Sequence, residues 1–142
     1  MVTGRLFALS LLSAIALSQP KPAQALVCEQ GPYFIFFGED NAFVIGDAMT
    51  VLEHTMAAVG NCGVGHVYIA GHTDLGEDPS LAVERAKTVA NYFLARGVPS
   101  NEITIAAFGN AQSRRANNGD EQQRENRRVE VTFRPLVRTP AN

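Results

Sequence analysis

From Leu26 to Glu84 the chain has no lysine and no arginine, although the same stretch carries nine Asp and Glu residues. The formal charge of the whole 142-residue chain is −2. Broad nucleic-acid binding needs a net basic surface, so this balance argues against it. Long apolar runs are also missing. Leu6 to Leu17 (LFALSLLSAIAL) falls short of the ~20 residues a spanning helix requires. His54, His66 and His72 are the only histidines. His72 and Asp74 stand two apart, but no third ligand follows at a useful spacing, so no metal and no cofactor is expected. No Ser/His/Asp order stands out, and the chain does not read as an enzyme. There is no internal repeat and no long low-complexity tract. The length is room for one domain.

What is present begins with an export signal. Arg5 is a lone positive charge before the apolar run, and a polar stretch with Pro20 and Pro22 leads to Ala23-Gln24-Ala25. That order matches the charged region, apolar region and small-x-small cleavage site of a secretory signal peptide over residues 1–25. A retained membrane anchor is the alternative, disfavoured by the run's length. Cys28 stands where a lipid-bearing cysteine would, but Val27 before it is not the small residue that lipoprotein processing needs. One domain is predicted over 26–134. Residues 135–142 carry two prolines and little apolar pattern, and read as a flexible tail. Without Arg5 and Lys21 the remaining chain has ten basic and fourteen acidic residues, a formal charge of −4. From Arg114 to Arg138 there are seven arginines against four acids. An acidic front half and an Arg-rich back half are expected to meet in the fold.

Export places Cys28 and Cys62 in an oxidising compartment, where two cysteines read as one disulfide, worth about 3–4 kcal/mol by loop entropy. Two unpaired thiols are the alternative.

Hydrophobic periodicity divides the domain into elements. Tyr33 to Phe37 (YFIFF) is a continuous apolar run, expected to be a strand buried on both faces. Asp47 can cap a helix with Ala48, Val51, Leu52, Met56 and Val59 on one stripe, ended by Gly60 and Asn61. His66 to Ala70 is the second strand, closed by Gly71. Asp78 as cap and Pro79 as first residue open a second helix, whose stripe runs from Leu81 to Leu94 and stops at Gly97. Ile103 to Phe108 is the third strand, Asp120 to Glu125 a short helical turn, and Val129 to Phe133 the fourth strand. The predicted architecture is a two-layer α/β fold, β-α-β-α-β-(short helical turn)-β, a mixed sheet with its helices on one face. The first crossover starts strands one and two at one end of the sheet, which puts Cys28 and Cys62 at that end together.

Gly71-His72-Thr73-Asp74 sits at the exit of strand two, where α/β sheets usually bind ligands. Asp74 is a carboxylate held on a turn. Arg85 lies near the start of the second helix, whose unpaired N–H groups add positive character. Two opposite charges so placed could hold a zwitterion, ammonium on Asp74 and carboxylate on Arg85. A purely structural Asp74–Arg85 ion pair is the plainer alternative. Arg114-Arg115 and Arg127-Arg128 are read as salt-bridged or solvated rather than as phosphate contacts.

GHTD after a strand, a helix reading LAVERAKTVANYFLARGV, then AAFGN, then Asn126-Arg127-Arg128-Val129-Glu130 opening the last strand, resembles the OmpA-like C-terminal domain family, which includes Pal lipoproteins and flagellar stator proteins. The resemblance runs from about Phe34 to Phe133. GHTD alone is a weak signal; in order with RAxxV and NRRVE it is strong. It implies non-catalytic binding of peptidoglycan in the periplasm, at the outer membrane or cell wall, through the diaminopimelate of the stem peptide. The implied site residues are Asp74 for the ammonium and Arg85 for the carboxylate, with Thr73 beside them and Arg128 in support. Other envelope proteins are the implied alternative partners, for a domain that keeps the fold without the ligand. The chain departs from the family pattern after Asp74. Its loop, Leu75-Gly76-Glu77-Asp78-Pro79-Ser80, is shorter, lacks the usual Asn, and puts Glu77 and Asp78 beside the carboxylate-binding side. Ala82 replaces a Ser, and Asn110 stands where an acid is usual.

Overall fold

The computed structural model describes residues 29–116 and 123–135. The predicted signal segment, Cys28, the tail beyond Pro135 and the first part of the predicted turn lie outside them. The elements are β1 (Tyr33–Phe36), α1 (Asp47–Cys62), β2 (Val64–His72), α2 (Ser80–Leu94), β3 (Ile103–Gly109) and β4 (Arg128–Pro135). Single 3-10 turns at Ser100–Glu102 and Arg124–Asn126 precede β3 and β4. The sheet order is β1-β4-β2-β3. β2 and β3 are parallel, and β4 lies antiparallel between β1 and β2. This is the expected mixed sheet.

Alternation along the strands builds the core on one face. Ile35, Val67, Ile69, Val129, Val131 and Phe133 are buried there, packed with Leu52 and Val59 of α1 and Ala86, Val89 and Phe93 of α2. Each such Val, Leu, Ile or Phe side chain stabilises by ~1.5–3 kcal/mol on burial. No helix among the described residues is long and apolar enough to cross a membrane.

Several expectations about elements are corrected. β1 is an edge strand, paired only with β4. Ile35 is fully buried, but Phe34 and Phe36 on the other face are half-buried. β4, not β1, takes a central place, so the aromatic run covers one side only. Asp47 is the first residue of α1 rather than its cap. Gly46 holds the cap position at φ 56°, ψ −131°, a conformation that side-chain-bearing residues resist. Gly60 and Asn61 do not stop the helix, which continues to Cys62 and ends at Gly63 (φ 67°). Gly71, finally, does not close β2. It lies inside the strand, where a Cβ would stand 1.9 Å from the Ala82 carbonyl oxygen of α2.

α2 starts one residue later than expected, with Pro79 rather than Asp78 at the cap position and Ser80 as its first residue. Asp78 Oδ1 accepts the Ser80 N–H at 2.9 Å, and Pro79 already has helical angles. Gly97 ends the segment at φ 90°, with the Val98 N–H donating to the Phe93 carbonyl. No described cysteine is a free thiol; Cys28, the partner expected for Cys62, lies outside the described residues.

Candidate functional site

The exit of β2 is fastened first by backbone. The Thr73 N–H donates to the Gly109 carbonyl at 2.9 Å, tying the strand's end to that of β3. The close approach of α2 at Gly71 then brings Arg85, one turn into the helix, directly behind this exit. Arg85 is fully buried. Its Nε donates to the Asn41 carbonyl (2.9 Å), Nη1 to the His72 carbonyl (3.1 Å) and Nη2 to the Gly38 carbonyl (3.1 Å). Its last two donors meet Glu77, Nη1 to Oε2 at 2.8 Å and Nη2 to Oε1 at 2.6 Å. A guanidinium has five N–H donors, and all five are used. The Glu77 oxygens also accept the N–H groups of Asp40 (3.1 Å) and Asp74 (2.8 Å). Burial alone would raise the Glu77 pKa, but the bonds from Arg85 and from the Asp74 and Asp40 amides outweigh it and hold the carboxyl below its ordinary value.

Asp74 is likewise fully buried. Its Oδ1 accepts Asn126 Nδ2 at 2.9 Å, and its Oδ2 accepts the Gln123 N–H. Arg127 Nη1 stands 3.8 Å from Oδ2, with its side chain 12% exposed. Asn126 is buried and acts as a hub. Its Oδ1 accepts the N–H groups of Arg114 (2.8 Å) and Arg115 (2.9 Å), and its Nδ2 also reaches the Arg115 carbonyl. The acidic front and Arg-rich back of the sequence thus meet where Arg127 approaches Asp74.

The structure therefore brings Asp74 and Arg85 to one place but does not leave them as an open pair. Glu77 stands between them, bonded to both residues, and the expected direct ion pair is replaced by Arg85–Glu77. Thr73 is buried beside the site, and its hydroxyl has no hydrogen-bond partner among the described residues. Arg128 does not face Asp74. It opens β4 in register with Phe36, on the sheet face opposite the helices, and binds Glu130 at 2.7 Å and the Gln112 carbonyl at 3.1 Å. The arginine of the pair that approaches Asp74 is Arg127, which precedes the strand and escapes its alternation. Two residues were missed as positioning groups. Asn126 gave a signal only as part of NRRVE, and Glu77 only as an unwanted charge.

The Arg128–Glu130 pair has a titratable neighbour. His72 is 1% exposed, stacks on Phe108 (centroids 5.4 Å, planes 19° apart), and neither ring nitrogen has a hydrogen-bond partner. Burial, aided by Arg128 and partly offset by Glu130, lowers its pKa to about 4. A histidine whose folded pKa lies below its unfolded value favours folding fully above pH 6.5, and that contribution is lost as pH falls toward 4. Acidification across this window should remove roughly 3 kcal/mol of stability. His72→Phe, which keeps the ring stack, should flatten the urea-unfolding profile between pH 6.5 and 4. An unchanged slope in the variant would show that His72 is not the titrating group.

A cavity of about 390 Å³ opens beside Arg127, lined by Phe34, Phe36, Phe37, Gly38, Ile45, Asp47, Ala48, Val51, Arg124 and Arg127. Aromatic and aliphatic groups form its walls, and the guanidinium groups of Arg124 and Arg127 and the carboxylate of Asp47 are its charged groups. Segments before α1, after β2, early in α2 and before β4 thus converge at one end of the sheet. The family model of the OmpA family matches residues 36–127, which include all four segments. The chain belongs to the OmpA family. Peptidoglycan-binding protein ArfA of Mycobacterium tuberculosis is 34% identical over 101 residues, covering 68% of this chain and 31% of that protein. This OmpA-family chain thus spans about a third of that relative's length. Among solved structures, the peptidoglycan-associated lipoprotein of Burkholderia pseudomallei superposes with a TM-score of 0.62 at 18% identity, covering 72% of this chain and 90% of that one. The C-terminal domain of Helicobacter pylori MotB gives a TM-score of 0.65 at 22% identity, covering 75% and 88%. At these identities the two structures establish the fold.

Proposed function

We propose that this OmpA-family domain is a non-catalytic peptidoglycan-binding module, exported to the periplasm and held at the outer membrane or cell wall. The ligand group is the diaminopimelate of the stem peptide. The observation that carries this reading is the charged cleft at the sheet's end, where Arg127, which lines the cavity with Arg124, Phe36 and Phe37, stands 3.8 Å from the buried Asp74. An ammonium group suits Asp74, and stem-peptide carboxylates suit the arginines. Membership of the family, and likeness to a relative named as peptidoglycan-binding, support the same reading. Export and the Cys28–Cys62 disulfide are part of this proposal. The test is co-sedimentation of the full chain with purified sacculi. Wild type should pellet, and Asp74→Asn and Arg127→Ala, each first confirmed to melt cooperatively, should bind about tenfold more weakly or worse, a change of ~1.4 kcal/mol. Equal pelleting of all three proteins would end the site assignment.

A second reading is an envelope protein–protein module that keeps the fold without the ligand. The saturated guanidinium of Arg85 favours it, as do Phe43 and Ile45, which stand 75% and 74% exposed, Ile45 on the rim of the cleft. A wild-type chain that stays in the supernatant over sacculi would select this reading.

A further inference from the structure

We infer that Glu77 is the specificity-determining residue of this site, an internal carboxylate seated on the face of Arg85 where a ligand's carboxylate would dock. The inference rests on the peptidoglycan reading and says how that site is regulated. The geometry is that of a bound carboxylate: two oxygens on two terminal nitrogens, at 2.6 and 2.8 Å, the fork arrangement by which arginine takes a carboxylate ligand. The other three donors of Arg85 are held by main-chain carbonyls, so the face occupied by Glu77 is the part of the guanidinium that a side-chain movement could free. Glu77 is carried by a short turn between β2 and α2. It follows Leu75, which is 52% exposed, and Gly76, at φ 92°, and precedes the exposed Asp78. No residue of the hydrophobic core lies in this turn.

A zwitterionic head group must therefore displace Glu77, carboxylate for carboxylate. When the competent state is a minor one, apparent affinity falls in proportion to its population; a state populated at about 10% weakens binding about tenfold. The chain should consequently bind free carboxylates poorly, and removal of Glu77 should open the site.

The experiment compares full-length wild type, Glu77→Ala and the neighbouring Asp78→Ala. Each is titrated with acetate and with diaminopimelate, read by melting temperature and by calorimetry, and each is pelleted with sacculi. Both small ligands should raise the melting temperature of Glu77→Ala in a dose-dependent way, with affinity about tenfold or more above wild type, while acetate leaves wild type and Asp78→Ala unmoved. A folded Glu77→Ala protein that binds neither probe more tightly than wild type overturns the inference. If Glu77→Ala gives no cooperative melt, Glu77→Gln, which keeps an acceptor for one of the Asp40 and Asp74 amides, takes its place with the same expected order. If neither variant folds, Glu77 serves the fold alone and the inference is wrong. Equal pelleting of wild type and the Glu77 variant with sacculi rejects the inference and keeps the peptidoglycan reading. Acetate binding by the variant, with no pelleting of any protein, rejects that reading and keeps the carboxylate site.

Discussion

Arg85→Met should lower the stability of the fold by about 3–5 kcal/mol, the usual cost of removing one member of a buried ion pair. The substitution strands a carboxylate, since Glu77 would keep only the Asp40 and Asp74 amides as hydrogen-bond donors. It also leaves the carbonyls of Gly38, Asn41 and His72 without the donors they now have. Those carbonyls come from the β1–α1 loop and the end of β2, so one guanidinium joins segments more than forty positions apart in sequence. The measurement is the urea midpoint at neutral pH, in wild type and variant. The double substitution Arg85→Met with Glu77→Leu should recover part of the loss, because a buried pair replaced by apolar groups of similar volume is often close to neutral. A single variant within 1 kcal/mol of wild type would mean the pair is not shielded as its burial indicates.

Gly71→Ala should be comparably damaging, about 3–5 kcal/mol, by a different cause. A methyl group at this position would lie 1.9 Å from the Ala82 carbonyl oxygen and 2.8 Å from its carbon, distances at which backbone itself must shift. Overpacking of a core by a methylene commonly costs 1–3 kcal/mol, and here the obstacle is main chain that cannot rotate away. The separation of α2 from β2 is what sets Arg85 behind Asp74, so the variant should also lose whatever binding the wild type has. Chemical denaturation and sacculi pelleting of the same preparation check both parts. A variant that keeps full stability would show that α2 can slide without consequence.

Acid should act on the same end of the molecule. The depressed pKa of Glu77 means its contribution is present above its ordinary carboxylate range and is lost as pH falls below it, while the His72 contribution begins to fade nearer pH 6.5. Both run in one direction, toward a less stable domain at low pH.

Much of this was legible in the residues. The two helical stripes, the start of α2 beside Asp78-Pro79 and the alternation of Val129, Val131 and Phe133 are local patterns, and local patterns translate directly into which side faces a core. Asp74 and Arg85 were legible as a neighbourhood, because a strand exit followed by a helix places them together. The error about β1 had a plain cause. Continuous apolar character does not distinguish a central strand from an edge strand whose second face is half covered, and the insertion of β4 between β1 and β2 is a pairing between distant segments. Which of Arg127 and Arg128 approaches Asp74 was not legible for a related reason: one residue of strand register decides which sheet face an arginine occupies.

The order of elements, the side of each helix that is buried and the membership of the OmpA family were determined by the sequence alone, since they depend on periodicity and on motifs read along the chain. Whether Arg85 stands open or closed was decided only in three dimensions. Its five donors are filled by groups from three separate segments, and no spacing along the chain encodes that Glu77, rather than Asp74 or a ligand, would reach the guanidinium first.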